Sequence, residues 1–142
     1  MSASDFNTLE ALTEAQFRAE QAELEPILVE ERRLRRSLAD LDEKTYKNAT
    51  LPISDLTDLQ RLGGDMAWRR WAAQSRTELQ MQLARVLARK ANKMAVVRQA
   101  FGRAEAVAMM QKQRAATLAN KRDKAQLEEI QALACLMATP GS

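Results

Sequence analysis

An all-α fold, arranged as a long two-helix antiparallel coiled-coil hairpin with the longer helix second, is what this sequence predicts, on three observations. Four Gly and three Pro in 142 residues leave little material for the turns of a sheet protein, whereas the good helix formers fill most of the chain. Apolar residues recur at three- and four-residue intervals over two long stretches, separated by one short segment rich in helix breakers. The two stretches also differ in charge. Residues 1–31 hold eight acids and only Arg18 as a base, while residues 66–124 hold fourteen bases and only Glu78, Glu105 and Asp123 as acids.

The first helix is expected over about residues 4–47. Ser4 can cap it with its hydroxyl, and Asp5 follows in the first turn, where a negative charge suits the helix dipole. Phe17, Leu24, Ile27, Leu34, Leu38 and Leu41 form an a/d stripe, with Glu20 and Glu31 at two seam positions. Pro26 lies inside this stretch without an N–H to donate, which predicts a kink or a break there. The run Glu30 to Arg36 is a charged face with ion pairs one helical turn apart.

Residues 48–65 form the connection at the tip. Asn48, Pro52 and the Gly63-Gly64 pair punctuate it, and Ser54-Asp55 with Leu56, Leu59 and Leu62 suits a short capped turn packed on the tip. Asp65 is a plausible N-cap for the second helix, expected over about residues 66–137, which holds no Pro and only Gly102. Its stripe reads Trp68, Ala72, Leu79, Leu83, Val86, Met94, Val97, Phe101, Ala104 and Ala108, with Ser75 and Lys90 as polar members. Between Leu79 and Phe101 the mean interval is nearer an eleven-residue repeat than a heptad, which predicts little supercoiling. Met94, Met109 and Met110 are read as packing residues.

Neither helix can bury its stripe alone, and the short connection favours folding them back on each other as one domain. With a turn near residue 56, the acidic residues 5–31 fall opposite about 81–107, which carry Arg85, Arg89, Lys90, Lys93, Arg98 and Arg103. Opposite charges beside a seam select its orientation. The same register leaves α2 residues beyond about 108 unpartnered, as an overhang. It bears Lys112, Arg114, Lys121, Arg122 and Lys124, followed by Leu127, Ile130, Leu133, Leu136 and Met137.

Chemistry is limited by what is missing. There is no His and a single Cys, Cys135, so His-containing zinc sites, Ser/His and Cys/His nucleophile pairs and an intramolecular disulfide are excluded. Cys135 is expected to sit buried or half-buried as a small apolar residue. No glycine-rich phosphate loop occurs, and neither an enzyme activity, a cofactor, a metal nor a small-molecule substrate is expected. The longest uninterrupted apolar run, Ala132 to Ala138, is far short of the ~20 residues that span a bilayer, and the expected location is cytoplasmic.

Two surfaces remain as candidates for binding protein partners. At the tip, Tyr46, Trp68 and Trp71 gather beside Leu41, and Trp is favoured at hot spots because it joins a large apolar area to a polar handle. The same tryptophans could instead cap the coil against Leu41 and Leu59. The overhang is the second surface, since an amphipathic helix without a partner is a ready ligand for a groove or ring. Its alternative is a solvated helix, or one packed on another copy.

Two long helices with aromatics at the turn and a longer, basic second helix resemble the FliJ-type proteins of flagellar and related type III export, over about residues 4–137. The resemblance lies in shape, length and charge. It implies a non-enzymatic export component whose coil enters the ring of an export ATPase and links it to the export gate. By position, Leu41, Tyr46, Trp68 and Trp71 would then contact the gate, and Arg114, Lys121, Arg122 and Lys124 the ATPase. The other readings are a homodimeric coiled-coil adaptor, with monomer or dimer left open, and a basic helical protein associated with nucleic acid.

Overall fold

The computed structural model describes residues 2–49 and 58–138. Every described residue except Ser2 lies in one of two helices that pack against each other, α1 (Ala3–Ala49) and α2 (Asp58–Ala138). The cap of α1 is Ser2 rather than Ser4. The Asp5 N–H donates to Ser2 Oγ at 3.3 Å, and the Asp5 carboxylate accepts from the Ser2 N–H at 3.1 Å and from its hydroxyl at 2.9 Å. This reciprocal capping box satisfies donors that the first turn would otherwise leave open.

Pro26 does not break α1, which runs through it without interruption. Pro26 and Ala22 both lie on the exposed face. The Ala22 carbonyl, deprived of its N–H partner, therefore faces water, which is where a helix tolerates a proline best.

The connection is shorter than the breakers suggest. Asn48 still belongs to α1, and α2 begins at Asp58, so Gly63, Gly64 and Asp65 lie inside the helix. Asp65 is thus not its N-cap, and a Cβ at either glycine would meet nothing within 4 Å. The expected turn at Ser54-Asp55, together with Pro52 and Leu56, lies outside the described residues.

The chain divides into two compact units. One consists of residues 18–98. Its core is Ile27, Leu34 and Val86, with Leu79 and Leu83 packed against them, and Leu34 is fully buried. Leu41 and Ala72 are buried as well. Every expected α1 seam position from Glu20 to Leu41 is buried or half-buried. On α2, positions Ala72, Leu79, Val86 and Lys93 follow a strict heptad, so the mean interval near an eleven-residue repeat does not hold.

Charged residues enter this seam. Glu31, only 7% exposed, accepts from Lys90 Nζ at 2.9 Å and from Arg35 Nη2 at 3.1 Å. Lys93, half-buried, donates to both Glu20 and Glu23. Asp42 pairs with Arg76 at 3.3 Å. The run from Glu30 is therefore a charged face only in part: Arg33 reaches Glu30 at 2.6 Å in the open, while Glu31 and Leu34 point inward.

The other unit joins residues 1–17 to 99–142. Thr13, Ala100 and Val107 are its buried residues among those described, and the Thr13 hydroxyl is satisfied by the Leu9 and Glu10 carbonyls at 2.9 and 3.0 Å. Phe17 and Phe101 meet as a tilted pair, with centroids 5.3 Å apart and ring planes at 57°. A turn near residue 56 would have placed residue 95 opposite Phe17, so α2 is displaced in register. Phe101 itself remains 49% exposed, and Ala100 beside it is the residue in the seam. Met109 and Met110, expected to pack, are exposed, as is Cys135.

Candidate functional site

The tip residues share one neighbourhood of the 18–98 unit. Ala72 is buried in the seam, and Trp68, one turn earlier on the same face, is half-buried. Trp71 lies beside that face and is 55% exposed; the two indole centroids are 6.4 Å apart at 46°. Trp71 also lines an open groove with Leu41, Leu79, Asp40 and Lys44. Leu41 is the buried floor of that groove, at 7% exposure, while Tyr46 on the last turns of α1 is exposed. The two tryptophans thus divide the roles that sequence left open between them. Trp68 faces the coil, and Trp71 offers an indole to solvent above a leucine floor.

The basic residues do not form one group. Arg114 is half-buried and belongs to the contact between helices, with its guanidinium carbon 4.9 Å from the Phe6 ring centroid. Its Nη1 is buried and has no hydrogen-bond partner among the described residues. Asp5 lies close enough that the arginine, after the two hydrogen bonds from Ser2, helps hold the Asp5 carboxyl below its ordinary value. One turn earlier, Gln111 donates to Asn7 at 2.7 Å and to Glu10 at 3.0 Å. The contact therefore reaches past residue 108, and Arg114 is its outer clasp rather than part of the overhang.

Beyond Arg114 the helix changes character. Every described residue from Ala115 to Ala138 is exposed, including Lys121, Arg122 and Lys124. Leu118, Leu127, Ile130, Leu133, Leu136 and Met137 are exposed there as well, at 48% to 87%. At ~1.5 Å per residue this is roughly 36 Å of helix.

Sequence reading missed Phe6, Gln111 and Val107 as contact residues. The signal was present, because the stripe on α1 continues upstream of Phe17 through Thr13 to Phe6 at the same spacing. Among the described residues there is no group of three or more His, Cys, Asp or Glu placed to hold a metal ion, and no helix is long and apolar enough to cross a membrane.

An all-α chain of two packed helices, with an exposed aromatic groove in one unit and an exposed basic and apolar helix in the other, is the class these observations define. No protein-family model, no curated protein and no solved structure matches it.

Proposed function

We propose that this chain is a non-enzymatic docking protein of the FliJ type: an antiparallel coiled-coil hairpin that engages an export ATPase ring through its second helix and an export-gate partner through its tip. The observation that carries the reading is the exposed helix from Ala115 to Ala138, with three bases on it and an apolar segment after them. A helix that long in water, with such a face, is suited to a partner that supplies the missing half of its contacts. An antiparallel hairpin is supported within each unit by the pairing order. Glu31 holds Lys90 and Asp42 holds Arg76, while Phe6 meets Arg114 and Phe17 meets Phe101.

In this mechanism the coil acts by being stiff and charged. Lys121, Arg122 and Lys124 meet acidic groups of the ring, and Trp71 above Leu41 supplies the gate contact. Arg114 contributes indirectly, by clasping the first turn of α1 where the helix leaves it.

The test is ATP hydrolysis by the purified export ATPase, with and without this chain, beside a variant carrying Lys121→Glu, Arg122→Glu and Lys124→Glu. Stimulation that disappears in the variant is the expected result; no stimulation and no co-elution at low salt rejects the reading. A homodimeric adaptor is the second reading, favoured by the exposed Leu127, Ile130 and Leu133. Light scattering on the eluted chain would then give twice the 16.0 kDa mass of one copy.

A further inference from the structure

The exposed helix from Ala115 to Ala138 has one apolar side. At about 100° per residue, Leu118, Arg122, Glu129, Leu133 and Leu136 fall within an arc of about 60°, which Ile130 and Met137 widen to about 120°. The five apolar members of this face are 48% to 87% exposed. Successive members from Leu118 to Leu136 lie three, four or seven residues apart, the intervals of a seam between two helices.

The order of residues along the stripe says what fits it. Reflected about the point between Ala125 and Gln126, Arg122 exchanges places with Glu129, Leu118 with Leu133, and Ala115 with Leu136. A stripe with this symmetry is complementary to its own reverse. A second copy laid antiparallel across that point therefore sets leucine against leucine and arginine against glutamate, each contact made twice. Lys121 and Glu128 lie about 20° apart to one side of the face, and antiparallel pairing brings like sides together, so these opposite charges also meet. A parallel pairing would instead set Arg122 on Arg122 and Glu129 on Glu129, and charges in a seam select orientation by that difference. The length fits as well. Leu136 falls opposite Ala115, the first residue beyond the Arg114 clasp, so the pairing spans the exposed stretch and stops where the contact with α1 begins.

We infer that two copies of this chain associate through residues 115–136, antiparallel, about a two-fold axis between Ala125 and Gln126. Apolar contact and charge select this one register together. The inference stands apart from the docking reading, since it concerns the chain alone, and any other partner that takes this face does so in competition with the second copy.

Sedimentation equilibrium of the chain alone should show a reversible rise from 16.0 kDa towards twice that mass as concentration increases. Arg122→Glu and Glu129→Arg each place like charges against one another in this register, and each should weaken the dimer about tenfold or more. The double variant, which exchanges the two charges, should associate as the parent does. Leu133→Gln should weaken the dimer through its apolar contact. Circular dichroism of all four variants should match that of the monomeric parent, because these side chains lie outside the seam with α1. A chain that stays monomeric at every concentration overturns the inference and leaves the docking reading intact. A dimer that neither single reversal weakens, or whose double variant is no stronger than the single ones, overturns the antiparallel register.

Discussion

Glu31 is the residue on which the 18–98 unit concentrates most risk, being a carboxylate at 7% exposure inside an apolar seam. It is held there by the Lys90 ammonium and then by the Arg35 guanidinium, which keep its carboxyl below the ordinary value of 4.5. Lys93 does the same for Glu23. Because these carboxyls titrate lower folded than unfolded, their contribution to stability is complete above about pH 4.5 and is lost as pH falls through the depressed folded values. Thermal melts should therefore be flat from pH 7 to about 5 and fall below that. In Glu31→Gln the acid-side fall should be shallower and the pH 7 melting temperature lower; an unchanged pH profile would show that the pair does not couple to folding. Leu34 provides the apolar counterpart. It is fully buried, and Leu34→Ala should destabilise by about 2–5 kcal/mol in denaturant titrations, whereas Leu136→Ala, at an exposed site, should stay within about 0.5 kcal/mol.

At the level of the element, α2 carries three glycines that neither a turn nor a close approach requires. A Cβ at Gly102 would meet nothing within 4 Å. Gly102→Ala should therefore stabilise the helix by roughly 0.5–1 kcal/mol through backbone entropy alone, seen as a raised melting temperature with unchanged helicity. A loss of stability would mean that the position is covered by something outside the chain. The glycines also explain where sequence reading of this element failed. Two adjacent glycines and an Asp look like an entry to a helix, yet α2 runs through them, because the helical neighbours on both sides outweigh their local propensity. The α1 stripe was legible from Phe17 to Leu41, since Phe17, Leu24, Ile27, Leu34, Leu38 and Leu41 are large and regularly spaced. On α2 the eye follows Met94 and Phe101, while the seam also runs through Lys93 and Ala100. A lysine whose charge is satisfied by Glu20 and Glu23, and an alanine beside a phenylalanine, carry no apolar signal that sequence alone would rank first. The tip aromatics were found by composition, but which indole faces outward depends on packing that only the structure supplies.

Across the whole molecule, protection from solvent is unevenly distributed. The described residues from Phe6 to Leu41 and from Ala72 to Arg114 include the buried seam positions, and those from Ala115 to Ala138 include none. Backbone amides in the seam segments should exchange slowly, and those of 115–138 faster by orders of magnitude, with the contrast shrinking when a partner binds. Uniform protection along α2 would contradict this division. The overhang itself was legible from charge and length, but its starting point was not. Phe6 and Gln111 extend the contact by one to two turns, through a phenylalanine that continues the α1 stripe upstream of Phe17 and an amide that carries no apolar signal.

The ionic members of the seam have one more consequence. Apolar layers that repeat every seven residues look alike to one another, so a helix pair built from them alone could slide by a heptad at little cost. In the 18–98 unit such a slip would bring Leu83 or Val97 to Glu31 in place of Lys90, and would strip Lys93 of both its carboxylates. Glu31, at 7% exposure, would then lose its Lys90 partner and keep only Arg35 of its own helix, and taking one partner from a buried ionic group is costly. Glu31 and Lys93 thus act as keys in a shaft: they pin one register of the two helices within this unit.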